Sequence, residues 1–136
     1  MGPDRLILPD LDIWLRAFDR RQPDLRVVSA LSRRIEQRQI VLLSWVRQGI
    51  LARLADERQA QRLRWALAGF PDIRASEADQ VAAAERIRGL RRTGVPCGAW
   101  PARLWTVAAR VGGIIWSQDR RWQPLMVHGC PVQSMV

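Results

Sequence analysis

Two short apolar segments, each leading into acidic residues, lie at opposite ends of this 136-residue chain. The first is Leu6-Ile7-Leu8-Pro9, followed by Asp10-Leu11-Asp12-Ile13-Trp14; the second is Ile114-Ile115-Trp116-Ser117-Gln118, followed by Asp119-Arg120-Arg121-Trp122. Apolar runs of this length suit buried strands, and in open α/β sheets ligands bind at the carboxyl ends of parallel strands. Asp10 and Asp119 are therefore candidates to converge on one metal ion or one phosphate. Carboxylate oxygens are the ligands that hard divalent cations take. A second reading stands beside this one: a carboxylate in the first turn of a helix is stabilised by the helix dipole and caps it with no ligand at all.

The intervening chain must bring these ends together, and it reads as alternating strands and helices. Leu25, Val28, Leu31 and Ile35 recur at helical spacing and predict an amphipathic helix across roughly Asp24 to Arg38. Gln39-Ile40-Val41-Leu42-Leu43 is a second strand candidate. Ser44 then serves as the expected cap of a helix carrying Trp45, Val46, Ile50 and Leu54. Ala55 to Gly69 reads as another helix with Leu63, Leu67 and Phe70 on one face, ending in a turn around Pro71-Asp72. Ser76 and Asp79 have the spacing of a capping box, ahead of a helix with Val81, Ala84, Ile87 and Leu90 inward and an end at Thr93-Gly94. Trp100-Pro101 opens a further helix with Leu104, Ala108 and Val111 as its buried stripe. Gly112-Gly113 turns the chain into Ile114-Ile115-Trp116, and Cys130-Pro131-Val132 is a short edge-strand candidate. No internal repeat or long linker divides residues 1–136, so the expectation is a single domain, a three-layer α/β/α fold with a central parallel sheet.

Composition narrows the chemistry. The formal charge of +9 arises from 22 basic residues, every one of them arginine. Such a surface attracts phosphate-bearing polymers, which release counterions on binding, or an acidic protein, in preference to a neutral metabolite. Arg86, Arg88, Arg91 and Arg92, together with Arg120 and Arg121, are the candidate nucleic-acid contacts; solvated helix faces and helix-end charges are the plain alternative. Cys97 and Cys130, with His128 nearby, fall short of a four-ligand zinc set and read as reduced structural thiols. His128 itself lies in the tail and is expected to be exposed. No G-x-S-x-G elbow, phosphate-binding glycine loop or G-x-G-x-x-G occurs. The start Met1-Gly2-Pro3-Asp4-Arg5 lacks the long apolar region of a signal peptide, and no apolar stretch approaches the ~20 residues of a membrane span. A cytoplasmic location with no membrane partner is the expectation. Seven tryptophans stand beside two phenylalanines and no tyrosine. Trp65 and Trp105, large apolar residues at helical positions, are expected in the core, while Trp45, Trp100 and Trp105 are also of a size to stack on unpaired bases.

The order of Leu8-Pro9-Asp10-Leu11-Asp12-Ile13-Trp14, Val46-Arg47-Gln48-Gly49-Ile50, Ala83-Ala84-Glu85-Arg86-Ile87-Arg88-Gly89-Leu90-Arg91 and Trp116-Ser117-Gln118-Asp119-Arg120-Arg121-Trp122 resembles a PIN domain. This is the small α/β nuclease fold of the VapC-type toxins of bacterial toxin-antitoxin pairs, and the likeness runs from about Leu6 to Val132. The resemblance implies one or two Mg²⁺ or Mn²⁺ ions held by a cluster of usually four acids, with a metal-activated water attacking an RNA phosphodiester. It places the first acid at Asp10, with Asp12 as a possible supplement, and the last at Asp119; it puts Trp14 and Trp122 at apolar positions of the core and lets Trp45, Trp100 and Trp105 fill space that a metal site would occupy. The second acid falls on Trp45, and the third on Pro101 or, with a shift of one, Trp100. None of these three has an oxygen side chain, so a centre with half its anionic charge should hold Mg²⁺ poorly and activate water less.

Three functions follow from that resemblance. The first is a degenerate PIN-like protein kept for binding RNA or an acidic, antitoxin-like protein partner, with no cofactor and little or no nuclease activity. The second is a Mg- or Mn-dependent endoribonuclease with an abbreviated site on Asp10, Asp12 and Asp119. The third is a structural subunit of a larger complex. In each the chain is expected to act as a homodimer or a complex subunit.

Overall fold

A computed structural model of the chain describes residues 5–136; the signal-peptide reading of Met1-Gly2-Pro3-Asp4 lies outside the described residues. Among the described residues there are five short strands and seven α-helices, with a pair of helices between each of the first four strands. β1 (Ile7–Pro9) pairs in parallel with β4 (Ile114–Trp116), and β4 pairs in parallel with β5 (Val132–Gln133). β2 (Leu42–Leu43) pairs in parallel with β3 (Asp72–Ile73), and a parallel bridge from Ile7 to Ile40 joins the two groups. The strand order is thus β3-β2-β1-β4-β5, and helices cover the sheet in the expected three-layer α/β/α arrangement.

The helices are α1 (Leu11–Ala17), α2 (Leu25–Glu36), α3 (Ser44–Ala52), α4 (Glu57–Leu67), α5 (Glu77–Arg92), α6 (Ala99–Val111) and α7 (Gln123–Met126). Their starts follow from local chemistry. Asp10, Asp24 and Asp56 each accept a backbone N–H at the opening of α1, α2 and α4. Ser76 and Asp79 form the expected reciprocal capping box of α5. Asp79 also accepts from Arg110 Nε at 2.9 Å, tying α5 to α6. Burial is the largest single influence on its pKa and pushes it up; the hydrogen bonds from Arg110 and Ser76 together outweigh it and hold the carboxyl below its usual range. Gly112 ends α6 in the left-handed conformation at φ 66°. At Gly113 a Cβ would lie 3.0 Å from the Leu6 carbonyl oxygen and 2.7 Å from Leu8 Cδ1, so glycine is what lets β4 run close beside β1.

Trp14 and Trp116 are fully buried at the centre of the core. Trp14 stacks on Phe18, meets Phe70 edge-on and donates its N–H to the Pro9 carbonyl at 3.2 Å. Trp105 and Trp122 are buried as expected.

Several local expectations are corrected. Trp65 is not in the core but 82% exposed, because Leu63 and Leu67 occupy the inward face of α4 and Trp65 lies two positions from each. The buried face of α2 is Val27, Ala30 and Leu31, with Leu25 and Ile35 exposed, so the apolar stripe is rotated from the one read by spacing. On α5 the buried residues are Asp79, Ala83 and Leu90, while Val81 and Ala84 face solvent. Ser44 is the first helical residue of α3, whose N-cap is Leu43 with no side-chain cap bond. Asp72 belongs to a strand, not only to a turn: β3 finds its partner in β2, thirty residues upstream in register. The edge strand after Cys130 forms as expected.

Candidate functional site

Asp10 sits where β1 becomes α1. Its backbone N–H extends the ladder to the Trp116 carbonyl at 2.9 Å, and its side chain, 8% exposed, turns back over the helix start. Oδ1 accepts from Leu11 N at 2.7 Å and from Trp100 Nε1 at 2.9 Å. Oδ2 accepts from Trp122 Nε1 at 3.1 Å. Two indoles, from the start of α6 and from the turn after β4, thus close on one carboxylate. Gly49 of α3 makes room for one of them, since a Cβ there would lie 3.3 Å from the Trp100 ring and 3.3 Å from Leu11.

Asp12 lies one residue into α1 and faces the segment after β4. Ser117 Oγ donates to its Oδ1 at 3.0 Å, and Gln118 N donates to its Oδ2 at 2.9 Å. Burial raises its pKa; the Gln118 and Ser117 hydrogen bonds pull against that, and the neighbouring Asp10 charge adds to it. Ser117 Oγ also accepts from Asp119 N at 3.0 Å, so one hydroxyl links the two acids. Asp119 caps the 3₁₀ turn Arg120–Trp122, and Arg121 donates to its Oδ2 from Nε at 2.9 Å and from Nη2 at 2.6 Å. That guanidinium holds the Asp119 carboxyl below the usual carboxylate range.

Asp10, Asp12 and Asp119 all line one cavity of about 690 Å³, with Trp100, Pro101, Trp122, Cys97, Arg53 and Arg121 among its other walls. The fold therefore unites the three carboxylates predicted from opposite ends of the chain. In this structure their oxygens are all engaged by protein donors. Both Asp10 oxygens are taken by N–H groups, Asp12 is turned to Ser117 and Gln118, and Asp119 is clamped by Arg121. Among the described residues no group of three or more His, Cys, Asp or Glu side chains is arranged to hold a metal.

The two expected acid positions that carry other residues behave differently. Trp100, rather than Pro101, points its polar atom at Asp10, although both line the cavity. Trp45 is buried and does not line it; the Arg103 guanidinium lies over its ring, 4.9 Å from the centroid. Arg86 lies over Trp105 in the same way at 4.2 Å, so its guanidinium is committed to the protein rather than facing solvent. Arg88, Arg91, Arg92, Arg120 and Arg121 are exposed. Cys97 and Cys130 are free thiols, and burial pushes Cys130 up to about 12, which leaves it unreactive. His128 is exposed. Reasoning on the sequence missed Trp100 and Trp122 as donors to Asp10, and Arg53 as a cavity residue. The signal available was a tryptophan at an acid position in a chain rich in tryptophan, because an indole N–H is a donor that a neighbouring carboxylate can accept.

A second cavity, of about 350 Å³, adjoins the first through the shared Leu15 and Arg53. Phe18, Ile50, Leu54 and Leu63 are its apolar lining, and Arg20, Arg21, Arg53 and Asp19 its charged lining, with Arg20 already paired to Asp56 at 2.6 Å. Together they make an apolar groove along α1, α3 and α4 that leads to the indoles over Asp10.

No protein-family model and no curated protein sequence matches the chain. Solved structures do. A chain of FitAB bound to the IR36 DNA fragment superimposes with a TM-score of 0.76 at 16% identity, over 96% of this chain and 95% of that one. A chain of FitAcB from Neisseria gonorrhoeae gives 0.74 at 20% identity, over 96% and 98%. A chain of VapBC2 from Rickettsia felis bound to a promoter DNA fragment gives 0.75 at 15% identity, over 95% and 98%. Identities this low speak for the backbone alone, and on that ground the chain has the three-layer PIN-like fold of the VapC-type toxin chains.

Proposed function

We propose that this chain is a PIN-like protein whose metal centre has closed and which acts by binding an acidic, antitoxin-like protein partner. The observation that carries the reading is that each Asp10 oxygen accepts an indole N–H, from Trp100 and from Trp122, which puts two tryptophans over the carboxylate where a metal-binding site would need it open. What remains is a groove with an apolar lining beside Arg21 and Arg53, neither of them in an ion pair among the described residues, which suits an amphipathic segment with acidic side chains. The structural neighbours are complexes that pair such a fold with a second protein, which supports a protein partner. RNA held by Arg88, Arg91, Arg92 and Arg120 is the other binding reading and rests on their exposure. Residues 1–136 act as one domain in the cytoplasm, as a homodimer or as a subunit of a complex; no helix among the described residues is long and apolar enough to cross a membrane.

One observation favours the abbreviated nuclease as the runner-up: Asp10, Asp12 and Asp119 share a cavity. Calorimetric titration with Mn²⁺ beside an RNA-cleavage assay separates the two. The closed-centre reading expects neither metal heat nor cleavage from the wild type. It also expects Trp100→Asp, which frees Asp10 Oδ1 and adds a carboxylate, to gain metal binding. Wild-type Mn²⁺ binding with cleavage, both lost in Asp119→Ala, restores the nuclease and overturns the proposal.

A further inference from the structure

α4 carries a tryptophan that contributes nothing to the core. Leu63 and Leu67 are its buried residues, and Trp65 projects away from them with 82% of its surface exposed. Its surroundings are basic rather than apolar. Arg58, Arg62 and Trp65 recur at i, i+4 and i+7 and so share one outward face, with Gln61 and Arg64 exposed beside it. Among the described residues none of these arginines forms an ion pair, while Asp56, which caps the helix, is held by Arg20 at 2.6 Å. Within the helix Glu57 is the one carboxylate, in the first turn.

The chemistry of this face selects its occupant. The buried centre of a protein interface is built from several apolar residues together, whereas Trp65 is surrounded by arginines, Gln61, Ala66, Ala68 and Gly69. A second copy of the chain would bring two sets of unpaired guanidinium groups face to face. An unpaired nucleotide strand needs less and different: one aromatic plane for a base and cations spaced along the backbone for its phosphates. We infer that the outward face of α4 binds single-stranded nucleic acid, with one base stacked on Trp65 and flanking phosphates on Arg58 and Arg62. Neither the Asp10 cavity nor the adjoining groove includes Trp65, so the inference stands apart from the partner reading above.

Fluorescence anisotropy with labelled oligouridine and with oligothymidine of equal length, measured over a series of salt concentrations, tests it. Wild-type protein is expected to bind at low salt, and Trp65→Ala to weaken binding by about tenfold, the loss of one base stack. Trp65→Phe should recover most of the affinity. Arg58→Gln combined with Arg62→Gln should lower the slope of log affinity against log salt by about 1.4, the share of two single-strand phosphates. The same dependence on Trp65 should persist when Arg88, Arg91 and Arg92 of α5 are all changed to Gln. The two oligomers tell RNA from DNA, and a Trp65-dependent response to either supports the inference. No wild-type binding to either, or Trp65→Ala binding as tightly as wild type, overturns it. An unchanged salt slope in the double arginine variant overturns it as well, and that readout holds should Trp65→Ala fail to fold.

Discussion

Asp10 is the residue whose role the geometry most changes, and Asp10→Ala tests that role through stability alone. The substitution withdraws the N-cap of α1, at a cost of about 1 kcal/mol. It also leaves the N–H of Trp122, a residue 4% exposed, without its acceptor, which costs about 1–3 kcal/mol. Trp100 is only half-buried and its N–H can turn to water, so its share is smaller, under about 1 kcal/mol. The sum is about 3 kcal/mol, and at about 4 °C per kcal/mol for a domain of this size it corresponds to a loss of roughly 12 °C in Tm. Urea unfolding followed by far-UV circular dichroism at neutral pH reads the change as a lower midpoint at an unchanged slope. Asp119→Ala is the internal comparison. Its partner Arg121 is 91% exposed, so the lost ion pair and turn cap together are expected to cost about 1 kcal/mol. A working metal centre gives the opposite sign at Asp10, since a carboxylate held among others for a cation strains the protein and its removal commonly stabilises. An Asp10→Ala variant as stable as wild type, or more so, refutes the view that this carboxylate is an acceptor for two indoles.

Tryptophans of one chemistry should separate by position: Trp105→Ala, which empties buried volume beneath Arg86, is expected to cost about 3–5 kcal/mol, while Trp65→Ala should stay within about 0.5 kcal/mol of wild type in the same urea assay. Asp12 carries a pH signature. Its folded pKa lies above the unfolded value, so the folded state binds the extra proton, and stability falls as pH rises from the unfolded pKa near 4 through the folded one. Asp12→Asn removes that cost, keeps an acceptor for Gln118 N, and is expected to be more stable than wild type at pH 7, with the gain vanishing below about pH 4. An equal gain at both pH values in thermal unfolding would contradict the burial argument. Asp79 and Asp119 run the other way: both are held below the ordinary carboxylate pKa, so their contributions are present above about pH 4 and are lost as the pH falls through their folded values.

Local chemistry alone determined a good deal of this protein. The capping box at Ser76 and Asp79, the turn at Gly112-Gly113, the strand pieces around Leu8, Leu42 and Ile115, and the alternation that makes the sheet parallel all depend on residues within a few positions of one another. The convergence of Asp10 and Asp119 was legible too, since in a parallel sheet both strands end on the same side. Other features belong to the tertiary structure. Helical spacing says which residues share a face but not which face meets the core, and so Trp65 and Trp105 read alike in sequence yet lie at opposite extremes of exposure. The pairing of β3 with β2, from two residues that offer little strand signal, comes from the neighbour that the sheet provides. The state of the candidate site was decided in the same way. Asp10 receives its indole donors from residues 90 and 112 positions further along the chain, and no local pattern reports whether a carboxylate brought to a strand end will face a cation or a tryptophan.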